Sequence, residues 1–282
     1  PIEENPIMIL RNNPANPSSD QIVLFPFDDH SLPFQHGVRL HLVRYKAGVD
    51  RTRIVVAPGP PGTPDCGGVI YYGTVLRVGD ELWMWYLGQG DDERWIERVC
   101  LAKSRDGYHW EKPELGLVEY RGSKRNNLVD MLGGAYHISA CVVFYEPDEP
   151  DPTRRFKAVV ETTKYPDLFT VAFSADGLTW HETERRPDLP SCEMSGGTKF
   201  NGCYYLSGHG GKHFGSLRQL VTFASYDFEH WIEASCLGLR RENIPPRPMV
   251  YGDHQGEQVH LGAALWNRGN VIVGLYGQWH GP

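Results

Sequence analysis

The sequence predicts an all-β fold built from repeated four-stranded antiparallel units, arranged as in a β-propeller. Three observations predict it. A Ser-x-Asp-x-x-x-Trp frame recurs as Ser104-Arg-Asp106-Gly107-Tyr-His-Trp110, Ser174-Ala-Asp176-Gly177-Leu-Thr-Trp180 and Ser225-Tyr-Asp227-Phe-Glu-His-Trp231. The frames start at 104, 174 and 225, and these intervals suit a four-stranded unit with variable loops. Paired β-rich runs precede each frame, and helical periodicity is almost absent from a chain punctuated by 31 Gly and 21 Pro.

Each frame follows a short strand: Val99-Cys-Leu-Ala102, Thr170-Val-Ala-Phe173 and Leu220-Val-Thr-Phe223. Asp-Gly then supplies a tight turn, because Asp bonds its own backbone and Gly accepts positive φ. Phe228 replaces Gly in the third copy, so that turn is expected to differ in detail. Upstream hairpins are predicted from Ile70–Leu76 with Glu81–Leu87, from Ser139–Tyr145 with Phe156–Glu161, and from Gly197–Phe200 with Tyr204–Ser207 about Asn201-Gly202. Trp83 and Trp85 share one strand face, which is expected to pack on the neighbouring unit. Leu261–Trp266 and Val271–Tyr276 begin a fourth unit, and segments 21–25, 38–45 and 53–57 are strand-like.

The expected organisation is one domain over 1–282. Within it, 1–60 is a partial blade of N-terminal strands, 61–120, 121–190 and 191–245 are blades, and 246–282 starts a truncated further blade. A ring needs every blade, since an open flank leaves unpaired backbone groups, so the chain is expected to be incomplete relative to its gene.

A formal charge of −7 and the lack of any Lys/Arg run argue against nucleic acid as a partner. No apolar stretch approaches the roughly 20 residues that span a bilayer, so no membrane partner is expected. Pro1-Ile-Glu-Glu4 carries no signal pattern. A soluble protein is expected, cytoplasmic or secreted if a leader was removed. Six cysteines occur without a C-x-x-C pair, which speaks against a zinc knuckle or thioredoxin-like site. They read as buried thiols, with a Cys192–Cys203 disulfide across a hairpin as the alternative. No cofactor and no metal are expected. No G-x-S-x-G motif marks a nucleophilic serine. His209-Gly-Gly-Lys-His213 has three glycines, if Gly208 is counted, against the helix its spacing would need for metal binding, and Lys212 lacks the Ser or Thr of a phosphate loop. It reads either as a rim loop whose His209 binds substrate hydroxyls or as a plain surface loop.

Ser104–Leu117, the run Gly122-Ser-Lys-Arg-Asn-Asn127, Cys192-Glu193-Met194 and Lys199–Leu206 together carry a resemblance. Over roughly residues 60–282 the chain resembles the five-bladed β-propeller glycosidases of glycoside hydrolase families 32, 43 and 68, and most of all uncharacterised bacterial proteins of family 32 type. The resemblance implies a central funnel in which the innermost strands of successive blades each offer a carboxylate, one acid protonating the leaving oxygen while another group attacks or activates water. On this basis Glu193 is the expected general acid, with a carboxyl raised by burial beside other acids. Asp65, in Gly62-Thr-Pro-Asp-Cys-Gly67, is the expected nucleophile or base, although the family Asn-Asp-Pro-Asn and Asp-Pro patterns are missing there. In the second unit His137-Ile-Ser139 stands where the family has Arg-Asp-Pro. His137 and Ser139 are then sugar-binding candidates, and Asp130 lies upstream. Asp253 or Glu257 is a possible substitute acid. Trp266, Arg268 and His260 flank the last hairpin as candidate sugar contacts, the alternative being packing and turn roles.

The resemblance therefore implies a glycoside hydrolase acting on a carbohydrate, the furanosides included. Two alternatives remain open at this point. One is a glycoside phosphorylase using Lys212, His213 and Arg268 for phosphate, and the other is a non-catalytic carbohydrate-binding propeller.

Overall fold

A computed structural model of the chain describes residues 36–37, 54–92, 96–165, 169–183, 192–210, 219–234 and 258–279. The first sheet has the order β1 (Gly68–Val78), β2 (Glu81–Gln89), β3 (Glu97–Ser104), with Glu111 bridging Lys103 at its outer edge. The second runs β4 (Ile138–Tyr145), β5 (Phe156–Thr162), β6 (Phe169–Ser174), β7 (His181–Glu182). The third runs β8 (Glu193–Phe200), β9 (Cys203–Gly210), β10 (Gln219–Ser225), β11 (Ile232–Glu233). A final hairpin joins β12 (Gln258–Asn267) to β13 (Ile272–Trp279). All named pairings are antiparallel. The fold is all-β: among the described residues the helical turns are the 3-10 turns Leu132–Gly134 and Pro152–Arg154.

The four hairpins form where the sequence places them. Asn201 and Gly202 both adopt positive φ (50° and 77°), the geometry a two-residue turn requires between right-twisted strands. Of the strand-like N-terminal segments, 21–25 and 38–45 lie outside the described residues. Ile54–Ala57 is irregular chain rather than strand, a correction to the reading of 53–57.

The sheets stack through their first strands: β1 packs on β4, β4 on β8, and β8 on β12. The packing of β4 explains why its sequence is apolar throughout from Ala140 to Tyr145. Successive side chains point to opposite faces, and here both faces are covered. Ala140, Val142 and Phe144 join a core shared with the third sheet, whereas Ile138, Cys141 and Val143 join one shared with the first. Trp85 belongs to that second core. Its ring lies 6.0 Å from Phe156 of the second sheet, and its Nε1 donates to the Gly177 carbonyl at 2.9 Å. Thr74 crosses the same seam, its Oγ1 accepting from Val143 N (2.9 Å) and donating to Cys141 O (3.3 Å).

The three Ser-x-Asp frames are one turn used three times. In each, the Ser Oγ accepts the backbone N–H three residues on, at 2.8–2.9 Å. The Asp Oδ1 accepts the next two turn amides at 2.7–2.9 Å. The Trp Nε1 then donates back to the carbonyl at the glycine position, at 2.9, 3.2 and 2.8 Å. The third copy differs in one detail: the contact from the Asp N–H to the Ser Oγ, 3.2 and 3.3 Å in the first two copies, has no described counterpart there. Phe228 takes φ 70°, beside 77° and 74° at Gly107 and Gly177, and keeps the other turn bonds. A non-glycine residue in that region costs roughly 1–2 kcal/mol. Phe228 offsets it by full burial, with its ring 5.0–5.3 Å from Tyr204, Phe144 and Trp231.

Cys66, Cys100, Cys141, Cys192 and Cys203 are free thiols, so the Cys192–Cys203 disulfide does not form. The register shows why: Cys203 begins β9 opposite Phe200, whereas Cys192 precedes Glu193 at the far end of the same hairpin. Burial pushes the Cys141 thiol up to about 12, which makes it inert as a nucleophile near neutral pH.

Candidate active site

In an antiparallel sheet alternate strands run the same way. The starts of first and third strands and the ends of second strands therefore meet at one end of each sheet, where Gly68, Gln89 and Glu97 are aligned in the first and Glu193 and His209 in the third. Every first strand also carries a bulge near this end. Residues 71–73 oppose a single residue in β1, Ser139 is the extra residue in β4, Ser195 in β8 and His260 in β12. Bulges redirect side chains and are common beside active sites. Their phase makes His137 and Glu193 equivalent, each lying two residues before a bulged serine.

Glu193 opens β8 with its side chain 31% exposed, and its Oε2 lies 3.0 Å from Nε2 of His209, which is 5% exposed. The two are direct register partners. The expected loop at His209 is in fact strand, because β9 continues through Gly208 to Gly210. Gly208 is required there, since a Cβ would come within 2.6 Å of the Glu193 carbonyl oxygen. An imidazole N–H at Nε2 facing a carboxylate oxygen at this distance makes a charge-assisted hydrogen bond, with Glu193 as the acceptor.

Two acids not singled out in the sequence stand close by. Glu97 begins β3, and its backbone N–H donates to Nδ1 of His137 at 3.2 Å. Its half-buried carboxyl is raised above the usual carboxylate range, first by burial and then by the Glu193 charge, against the pull of His137. Glu161 lies near the end of β5 opposite Ala140. Burial raises the Cys192 thiol well above its ordinary value, and the charges of Glu161, Glu193 and Glu233 add to that. No motif flags Glu97 or Glu161. The signal available was strand direction: the start of a third strand and the end of a second return to the level of the first strand's start.

The other predicted residues divide into those near Glu193 and those elsewhere. His137 and Ser139 lie at the same end of the sheets. Asp65, 1% exposed, is enclosed within the first sheet, accepting hydrogen bonds from Tyr86 Oη at 2.7 Å and Thr63 Oγ1 at 3.1 Å and pairing with Lys112. No described contact joins Asp65 to Glu193. Trp266 and Arg268 occupy the opposite end, where Arg268 sits 4.3 Å over the Trp266 ring and Asn267 Nδ2 donates to the Lys199 carbonyl at 2.7 Å. Lys199 lies six positions along β8 from Glu193, about 20 Å. His260 is the bulge residue of β12, and its side chain lies outside the described residues, as do Asp253 and Glu257. Among the described residues no group of three or more His, Cys, Asp or Glu side chains could hold a metal ion, and no helix is long and apolar enough to cross a membrane.

No protein-family model matches the chain, and no curated protein sequence matches it. Among solved structures it is similar to a protein of Bacteroides thetaiotaomicron assigned as a glycosidase, with 14% identity, 79% of this chain and 68% of that chain covered, and a TM-score of 0.47. A protein of Parabacteroides distasonis assigned as a glycoside hydrolase gives 17% identity, 79% and 68% coverage and a TM-score of 0.42. A fructofuranosidase of Schwanniomyces occidentalis, complexed with fructosylnystose, gives 15% identity, 81% of this chain, 46% of that chain and a TM-score of 0.43. These three solved structures are described as glycosidases, each at low sequence identity to this chain.

Proposed function

We propose that this protein is a glycoside hydrolase built on a five-bladed β-propeller, with its reaction centre at the end of the sheets where the bulged first strands begin. The observation that carries the reading is the Glu193–His209 pair: a partly exposed carboxylate at the start of a first strand, held at 3.0 Å by a buried imidazole. Hydrolysis of a glycosidic bond needs a carboxylate on one side of the sugar and an acid on the other. Since His209 favours the ionised form, Glu193 serves as base or nucleophile in this reading, in place of the acid role expected from the resemblance. His137 and Ser139, at the equivalent place on β4, are positioned to bind sugar hydroxyls.

Replacing Glu193 with Gln keeps the side chain's size while removing its charge. Tested on a panel of aryl furanosides and pyranosides, the variant should lose about 10²- to 10⁴-fold in turnover with its melting temperature nearly unchanged. Unchanged turnover would remove Glu193 from the mechanism. The enclosure of Asp65 favours one other reading, a propeller that binds glycans without cleaving them. Saturable binding to a glycan with no turnover by the wild type would select it.

A further inference from the structure

The expected partner of Glu193 was Asp65, yet Asp65 is saturated by Lys112, Tyr86 and Thr63 inside the first sheet. A carboxylate of that kind holds a structure together. The strand that ends the first sheet supplies another. Glu97 aligns with Gln89, which aligns with Gly68, so it stands level with the start of β1. Its backbone N–H is fastened to His137 Nδ1, and the His137 carbonyl is in turn fastened to Thr162 Oγ1 (2.9 Å) and Thr163 N (3.1 Å). Glu97 is thereby tied to the start of β4, the strand that packs on β8 with Glu193 at its head.

We infer that Glu97 is the second carboxyl group of this site and the proton donor to the leaving glycosidic oxygen, with Glu193 as its ionised partner. The inference rests on the glycosidase reading above. Two carboxyls that feel each other across a partly dry site do not both ionise readily, and the one with less support keeps its proton. Glu193 has the His209 N–H as support. Burial raises the Glu97 carboxyl and the Glu193 charge adds to it, against a larger opposing pull from His137, while the adjacent cation, Arg98, is engaged by Asp92 (2.5 Å) and by the carbonyls of Ile96 and Gly134 (both 3.1 Å). Environments that separate two carboxyls in this way divide them into acid and base.

The step balances with water as co-substrate. The Glu97 carboxylic proton passes to the glycosidic oxygen as the bond from that oxygen to the anomeric carbon breaks, its electron pair staying on oxygen. A water oxygen bonds the anomeric carbon and gives its proton to Glu193. Glu97 is left ionised and Glu193 protonated, and exchange with solvent restores both, so one water is consumed and two hydroxyl products leave.

The test uses Glu97→Gln in the full chain, compared on methyl and dinitrophenyl glycosides of one sugar that the wild type cleaves. A good leaving group departs without a proton, so the proposal expects a loss of about 10²- to 10⁴-fold on the methyl glycoside and about tenfold or less on the dinitrophenyl glycoside. Difference infrared spectroscopy of the wild type should show a protonated carboxyl that vanishes in Glu97→Gln and titrates at lower pH in Glu193→Gln. Equal losses on the two leaving groups, no loss at all, or a Glu97 titration indifferent to Glu193→Gln would overturn the assignment of Glu97 alone. A wild type that cleaves no glycoside would overturn the glycosidase reading along with it.

Discussion

Phe228 concentrates the competition between local and tertiary preference. Its backbone sits where glycine is favoured, in a turn whose other two copies have glycine, while its ring fills the core between the second and third sheets. Truncation to Ala removes the ring and keeps the strained φ, whereas truncation to Gly removes the ring and the strain together. Denaturant unfolding should therefore rank wild type above Phe228→Gly and Phe228→Gly above Phe228→Ala, with Phe228→Ala down by about 3–5 kcal/mol and the two variants about 1 kcal/mol apart. Equal stability of the two truncations would mean that the strain is absent. Glu193 teaches the complementary lesson. A Cys-Glu-Met segment before a hairpin pointed to this residue, but its partner His209 lies sixteen positions away in sequence and directly opposite in the ladder.

At the scale of elements, strand contact is controlled by where side chains are missing. Strand β12 crosses the β8–β9 hairpin so closely that a Cβ on Gly262 would lie 2.2 Å from Gly208 Cα, and one on Gly196 would lie 2.8 Å from Ala264 Cα. The backbone joins the contact, with Ala263 N donating to Ser207 Oγ at 3.1 Å. Gly262→Ala must force β12 away from β9, an overpacking cost of about 1–3 kcal/mol. The melting temperature should fall by about 5 °C, and because His209 is the residue after Gly208, turnover should fall with it. A melting temperature matching the wild type would show that the strands are not so close. These glycines are visible in the sequence as residues but not as contacts, since a glycine inside a strand reads equally well as a weak point or as a close approach.

Over the whole molecule, a polar cluster at the end opposite Glu193 joins the second and third sheets. Lys157, 2% exposed, lies 2.6 Å from Glu146 and 2.7 Å from Glu149, while Lys199 and Tyr204 of the third sheet also bond Glu146. Burial raises the Glu146 carboxyl, but the bonds from Lys157, Lys199 and Tyr204 outweigh it and hold the group below the usual range. Removing one member of such a cluster strands the others. Lys157→Met should cost about 3–5 kcal/mol at neutral pH, and adding Glu149→Gln should recover part of it. Because the folded-state carboxyl is depressed, its contribution is present above the unfolded value near 4.3 and fades as pH falls through the folded one. The gap between wild type and Lys157→Met should accordingly narrow below about pH 4, as read by unfolding at stepped pH. A gap constant across that range would assign the cost to packing alone.

From its sequence alone this protein is an all-β chain with three copies of one turn and four hairpins in given places, because turn chemistry and strand alternation act over a few residues. The resemblance and the Glu193 segment likewise lay within short windows. Tertiary structure alone decided that Asp65 is enclosed with Lys112, that Trp266 and Arg268 sit at the far end, and that Glu97 stands level with the first strands. The physical reason is that strand direction and register bring together residues far apart in sequence, and a carboxyl's burial and neighbours, which govern its chemistry, exist only once the sheets have packed.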